Sequence, residues 1–174
     1  MDLYTTTAAD EALLLDLLNT TPVIDGVPTD ALADFDTAAR WMQDHDIPVR
    51  EAEWTALVSA RSTLQALSRG EQSPTTLQPF LTAARLDPVA QDDGVRWQLV
   101  VDGDTSGAVR AALAWDGLRL TSPGRLRPCA NTECQLFLID RSKPNTARWC
   151  SMALCGNRMK ARRHYRRARS SEEH

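Results

Sequence analysis

The stretch from 129 to 155, "CANTECQLFLIDRSKPNTARWCSMALC", holds all four cysteines of the chain. They form two C-x4-C pairs, Cys129 with Cys134 and Cys150 with Cys155, and fifteen residues separate the pairs. A tetrahedral metal ion needs ligands from both pairs, so the segment between them must fold back. Thiolates are good donors for zinc, and this spacing predicts a structural zinc site with the four cysteines as ligands.

The segment between the pairs is predicted to be a β-hairpin. Residues 135–140, "QLFLID", have the composition of a strand, "RSKPN" supplies a turn, and 146–149, "TARW", is the predicted return strand. Ser151 can then cap a helix that continues through "MALCGNRMKARRHYRRAR". This order of knuckle, hairpin and helix resembles a treble-clef zinc finger.

Other uses of the cysteines compete with zinc at this point. Two disulfides would need an oxidising compartment, a redox pair is more often C-x2-C, and four reduced cysteines without metal would be unusual at this spacing. His164 could replace one cysteine as a ligand, but it lies nine residues after Cys155. Four thiolates leave a zinc ion no open position for catalysis, and the chain has no glycine-rich phosphate loop, so we expect no enzyme.

Charge divides the chain into two unlike parts. Residues 1–124 have a net charge of −11, whereas residues 125–174 have a net charge of +8. The end of the predicted finger helix carries seven basic residues and no acid: Arg158, Lys160, Arg162, Arg163, Arg166, Arg167 and Arg169. Like charges four residues apart repel one another, and a phosphate backbone would relieve that repulsion. We therefore predict that these residues contact DNA, while charge alone does not exclude RNA.

The acidic part is predicted to be mostly helical. Apolar spacing predicts helices over 8–18, 51–68, 75–85 and 107–115, with a further helix capped by Thr29 or Asp30 and carrying Met42 on its apolar face. "VRWQLVVD" at 95–102 is the best strand candidate. The predicted fold class is mainly α with a small β component, a helical α+β domain at 1–122 followed by a treble-clef-like finger at 125–169.

The location of the protein follows from its apolar pattern and its cysteines. No apolar run approaches the roughly 20 residues that span a bilayer, and we predict no membrane partner. The first residues carry acids and no basic residue before the apolar part, the opposite of a secretory signal. We expect a cytoplasmic protein, in which paired cysteines more often bind metal than form disulfides.

Two parts of the chain resemble known families. Residues 126–167, with "RWCSM", "CGNR", Asp140 and Ser142, closely resemble the bacterial CGNR zinc finger. In that family the finger usually follows an ABATE domain, and "LDLLNT" at 15–20 and "SARSTLQAL" at 59–67 are similar to motifs of that domain. The resemblance implies a stress-linked transcription regulator that binds DNA through the finger. It also implies that the four cysteines are the metal ligands.

Two functions are therefore carried forward. The first is a zinc-dependent DNA-binding protein, a transcription regulator whose basic helix contacts phosphates. The alternative is a protein-interaction or ligand-sensing module in which the finger is a structural scaffold and the basic helix docks onto an acidic surface. In either case the N-terminal domain is predicted to set the choice of a protein partner or to form a homodimer. We expect it not to contact nucleic acid itself, because its net charge repels phosphate.

Overall fold

The computed structural model of the protein describes residues 6–24 and 26–162. The helices are α1 (Ala8–Leu18), α2 (Phe35–Asp44), α3 (Glu51–Arg69), α4 (Gln78–Leu81) and α5 (Ser106–Thr121). The strands are β1 (Val23–Ile24), β2 (Val27–Pro28), β3 (Ala84–Gln91), β4 (Gly94–Val101), β5 (Leu126–Pro128) and β6 (Phe137–Ile139). Consecutive strands pair antiparallel in three two-stranded sheets. The predicted fold class, mainly α with a small β component, is confirmed.

Helices α1, α3 and α5 form the core. On α1, Leu13, Leu14 and Leu17 have no exposed surface, and each buried leucine contributes about 1.5–3 kcal/mol. Helix α5 is rich in buried alanine, which lets its neighbours approach closely. At Gly107 a Cβ would lie 2.7 Å from Ile47 Cδ1, so the start of α5 requires glycine.

Buried carboxylates secure the helix ends. Glu53 of α3 is 1% exposed and accepts hydrogen bonds from Ser106 N at 2.8 Å and Gly107 N at 3.2 Å. Its side chain thereby satisfies N–H groups at the start of α5, which a helix cannot satisfy internally. Asp10 closes a capping box with Thr7 and also accepts a hydrogen bond from Arg110 at 2.8 Å.

The second helix begins later than predicted. Asp34 caps α2 by accepting a hydrogen bond from Thr37 N at 2.8 Å, so the prediction of Thr29 or Asp30 as the cap is wrong. Asp30 instead receives both terminal nitrogens of Arg61, at 2.5 and 2.8 Å. Asp30 also accepts a local hydrogen bond from Leu32 N at 2.8 Å, but it lies ahead of α2 and does not cap it.

The segment after α3 differs most from its prediction in the helical part. The predicted helix over 75–85 is a 3₁₀ turn followed by the single turn α4, and residues from 84 onward form strand β3. Asp87 and Pro88 are poor strand formers, which is why the pattern did not indicate β3. Pairing with β4, the strand that was predicted over 95–102, overrides their local preference. Helix α5 also extends beyond the predicted 107–115.

The finger contains a hairpin in another place than predicted. Strand β5 pairs with β6, so the two strands flank the first cysteine pair. The predicted return strand at 146–149 is wrong, since those residues form no ladder. The Asp140 carboxylate instead accepts hydrogen bonds from Ser142 N and Ala147 N, both at 2.8 Å. These bonds fold 140–147 into a compact loop.

The hairpin of the finger packs onto the helical core. Phe137 is 1% exposed and belongs to the same apolar cluster as the α1 leucines. Asn19 accepts a hydrogen bond from Phe137 N at 2.7 Å and donates one to Phe137 O at 3.2 Å, and the Arg69 guanidinium lies 4.9 Å from the phenyl ring centre. Arg141 pairs with Glu11 of α1. The predicted division into 1–122 and 125–169 therefore crosses a buried contact, and it stays a prediction.

Candidate metal centre and nucleic-acid surface

The four cysteine sulfurs form one compact cluster. All ligand atoms lie within 4.8 Å of one another, and Cys134 Sγ is 3.8 Å from Cys150 Sγ. In a tetrahedral zinc site with Zn–S bonds of about 2.3 Å, neighbouring sulfurs are about 3.8 Å apart. The cysteines are free thiols, since a disulfide would bring two sulfurs to about 2.05 Å. The donor set therefore fits one zinc ion.

Backbone hydrogen bonds bring the two cysteine pairs together. In the knuckle loop, residues 129–136, Cys134 N donates to Asn131 O at 2.8 Å and Cys129 N donates to Leu136 O at 2.8 Å. Ala130 N donates to Arg148 O at 2.8 Å, which holds the approach to the second pair beside the knuckle loop. In place of the predicted ladder, one backbone–backbone hydrogen bond joins the two segments among the described residues.

The second pair lies at the start of a helical segment. Ser151 Oγ accepts a hydrogen bond from Leu154 N at 3.0 Å, which confirms the predicted cap. The first turn, Met152–Gly156, is a π-turn, and α-helix follows over 157–162. A Cβ at Gly156 would lie 2.6 Å from Met152 Sδ, so a larger residue in place of the glycine of "CGNR" would displace the Met152 side chain.

Sequence reasoning missed Asn131, whose buried side chain contacts the sulfur cluster at Cys155. Its side chain is buried, and its Nδ2 lies 3.5 Å from Cys155 Sγ while its Oδ1 accepts from Glu133 N at 3.3 Å. Cys150 N likewise donates to Cys129 Sγ at 3.4 Å. Such N–H donors orient metal ligands and stabilise negative charge on sulfur. An asparagine two residues after the first cysteine was the available signal.

Burial works against ionisation of the thiols. It raises the pKa of Cys134 to about 11 and also raises the pKa of Cys150. At Cys155 burial acts in the same direction, but the hydrogen bond from Asn131 and those from the other thiols leave its pKa lowered. A divalent cation supplies the missing stabilisation, because a coordinating thiol is deprotonated outright. Metal binding at this site should therefore release protons and weaken as the pH falls.

The predicted nucleic-acid-binding residues fall into two groups. Arg158, Lys160 and Arg162 are exposed on the helical segment after the fourth cysteine. Four further members lie outside the described residues: Arg163, Arg166, Arg167 and Arg169. Arg162 Nη2 lies 2.6 Å from Glu133 Oε2 in the knuckle loop, so its partner is an acid of the finger itself. Within residues 6–24 and 26–162, Arg158 and Lys160 form no ion pair.

Other cations of the finger have structural partners. Arg127 binds Asp140 at 2.6 Å, and Arg125 donates to two carbonyl oxygens of the same loop at 2.7 Å. Hydrogen bonds from Ser142, its side chain first, then its backbone and that of Ala147, hold the pKa of Asp140 at about 2. Asp140 and Ser142, which carried part of the family resemblance, therefore shape the loop before the second cysteine pair.

A four-cysteine cluster on a hairpin and a helical turn, attached to a helical core, defines a zinc-finger protein. Comparison with family models agrees: residues 125–168 match the "CGNR zinc finger", and residues 11–131 match ABATE, described as "Putative stress-induced transcription regulator". The chain belongs to the ABATE family and carries a CGNR zinc finger, as the sequence predicted. Zinc is accordingly its cofactor.

The two matches also bear on function and organisation. Both are regulator and zinc-finger families and neither is an enzyme family. The two matched ranges overlap at 125–131. The overlap contains β5, the first strand of the finger hairpin, and Cys129. A comparison with curated proteins finds no match to the chain. Within the described part of the chain, each helix is too short or too polar to cross a bilayer.

Proposed function

We propose that this protein is a zinc-dependent DNA-binding regulator whose finger presents basic side chains to the phosphate backbone. One observation carries the proposal: Arg158 and Lys160 are exposed and without an ion pair among the described residues, directly after the buried Cys155. Cations that follow a fixed point in the fold are held as an array, which favours a polyanion over a diffuse solvated tail.

The metal has a structural part in this proposal. Zinc held by Cys129, Cys134, Cys150 and Cys155 would join the knuckle loop to the helical segment and so fix the start of the basic helix. Asn131 would orient the site through its hydrogen bond to Cys155. Four thiolates leave no open coordination position, which supports a non-enzymatic role. Reduced thiols are consistent with a cytoplasmic location.

The ion pair between Arg162 and Glu133 favours a second candidate. In this pair an acid of the finger itself binds a predicted DNA contact, and the hairpin packs onto the helical core. In the second candidate the finger is a scaffold for protein interaction. DNA binding is preferred because the pair is exposed, with side chains 44% and 57% accessible. Exposed pairs are worth little and are readily exchanged for phosphate.

Salt-dependent binding to duplex DNA separates the two candidates. We expect affinity for a mixed-sequence duplex to fall steeply between about 50 and 200 mM salt, with a log–log slope of about −0.9 per phosphate neutralised. The double variant Arg158→Ala/Lys160→Ala should lower affinity and reduce the slope by about 2, while zinc content stays unchanged. Fluorescence anisotropy with a labelled duplex measures both quantities.

A charge-matched control comes from the helical part. The variant Arg40→Ala/Arg119→Ala removes the same charge from exposed positions on α2 and α5 and should keep the parental slope. If the finger variant and the control bind alike, or if the parent shows no salt-dependent binding, the basic residues are not a DNA surface and the scaffold candidate replaces it.

A further inference from the structure

The β3–β4 hairpin has one wholly apolar face. Cross-strand partners such as Pro88 and Trp97 place alternate residues of the two strands on the same side of the ribbon. The members of this face are Ala84, Leu86, Pro88, Ala90, Val95, Trp97, Leu99 and Val101. The opposite face carries the charges, including Arg85, Asp87 and Arg96. A ribbon with this pattern is expected to bury its apolar face.

Among the residues that the structure describes, neighbours cover only the base of this apolar face. Leu86 and Leu99 line a hollow with Leu81 and Leu113 of the adjoining helices. Towards the turn, Val95 is 63% and Trp97 is 40% exposed. An isolated two-stranded ribbon is only marginally stable in water. Within residues 6–24 and 26–162, no element packs on the apolar face of the outer half of this hairpin.

The two edges of the ribbon are not equivalent. Asp102 N donates to Ala83 O at 2.9 Å, which makes 83 and 102 a hydrogen-bonded pair. Because such pairs alternate along an antiparallel ladder, the backbone groups of Val95, Trp97 and Leu99 point away from β3. The corresponding groups on the outer edge of β3 include Pro88, which has no N–H. Proline and charges protect an edge from further pairing, and β4 has no proline and one charge.

We propose that β4 pairs antiparallel with β4 of a second copy of this chain, so that two hairpins form one four-stranded sheet. A twofold axis at Trp97 or at Gln98 keeps the apolar residues on one face. It also places Arg96 opposite Gln98 or Val100 of the second copy, so like charges never face each other. The paired ribbons share a continuous apolar face centred on the two Trp97 side chains. Nucleic acid is not expected to cover this apolar face, because residues 1–124 carry a net charge of −11.

The test measures mass and amide exchange on the full chain with zinc. Analytical ultracentrifugation should give a dimer. In hydrogen exchange the amides of Val95 and Trp97 should be protected, because each finds an acceptor on the second copy; in a single copy these amides face away from β3. Trp97→Lys places like charges near the twofold axis and should give a monomer whose Val95 amide exchanges fast. Gln91→Lys introduces the same charge at an exposed position on the polar face of β3, opposite Gly94, and should remain a dimer.

Two results would overturn the proposal. One is a monomer for the parent chain at concentrations up to about 100 μM, a weak limit for a specific protein pair. The other is a dimer in which the Val95 and Trp97 amides exchange as fast as in Trp97→Lys, which would place the interface elsewhere. Circular dichroism of both lysine variants verifies that the helical content is retained, so that a change of mass reports the interface. Neither measurement depends on DNA binding.

Discussion

The helical part and the finger differ in how much apolar surface they bury. Leu13 of α1 and Leu57 and Leu64 of α3 have no exposed surface. In the finger, among the described apolar side chains from 139 to 162, only Cys155 is buried. The first region is held by apolar burial and by long-range carboxylate caps. The second is held by loop hydrogen bonds and a four-sulfur cluster. We therefore expect the finger to depend on metal for its order, while Phe137 anchors its hairpin in the helical core.

Removal of one thiol should produce the largest effect, and it should be confined to the finger. We expect Cys134→Ser or Cys150→Ser to abolish stoichiometric zinc binding and to unfold the finger beyond β6, while most helical signal remains. Structural zinc sites supply on the order of 10–16 kcal/mol of apparent binding free energy in isolated fingers. Elemental analysis and far-ultraviolet circular dichroism measure the two quantities. Parent protein purified without chelator yet free of metal would contradict this.

Truncation of Phe137, a finger residue, should destabilise the helical part, because its ring belongs to the shared core. Phe137→Ala removes a ring from the shared core and should lower the free energy of unfolding by about 3–5 kcal/mol. Denaturant unfolding monitored at the core tryptophans measures the change. Leu154→Ala is a control in the finger, because Leu154 is 58% exposed and its loss should change stability little.

Unfolding of a fragment tests the proposed domain boundary between residues 122 and 125. A fragment of residues 1–122 lacks Phe137 and should fold with lower stability than the full chain, and it should not bind DNA. If Phe137→Ala leaves the free energy of unfolding unchanged, the hairpin is an independent attachment and the two regions are separate domains.

In the helical part, acid should act through the buried carboxylate of Asp10. Burial tends to raise the pKa of Asp10, but hydrogen bonds from Arg110 and Thr7 outweigh it and leave the pKa below its usual value. A depressed carboxylate pKa gives stability above the unfolded-state value of about 3.9 that is lost as the pH falls below it. Asp10→Asn should therefore cost about 1–3 kcal/mol at pH 7 and less at pH 3. An equal loss of unfolding free energy at pH 7 and pH 3 would show that Asp10 is not the titrating group.

Release of Arg162 should have the smallest effect, and it concerns only the finger. Glu133→Gln removes the carboxylate that lies 2.6 Å from Arg162, so that phosphate no longer competes with it. Affinity for duplex DNA should rise a few-fold, and the salt slope should steepen by up to about 0.9. Asp93→Asn breaks a comparable exposed pair with Arg96 on the distant hairpin and serves as control. Weaker binding by Glu133→Gln than by this control would mean that the ion pair assists the DNA surface.

Local pattern was sufficient where each residue acts through its neighbours in sequence. The spacing of the leucines placed α1 at 8–18, because helical periodicity brings them to one face. The two C-x4-C pairs indicated one four-sulfur cluster, because the ligand geometry of zinc leaves few alternatives for that spacing. The cap at Ser151 depends on a contact three residues away and was also readable.

Only the tertiary structure decided features that depend on distant partners. Pairing with β4 made a strand of Asp87 and Pro88, and the core position of Phe137 joined β6 to β5 in place of the expected return strand. Asp30 became an Arg61 partner because α3 brings a buried guanidinium to it. In each case the free energy of a long-range contact exceeds a local conformational preference of less than about 1 kcal/mol. The short-range sequence pattern therefore cannot predict these strands and this ion pair.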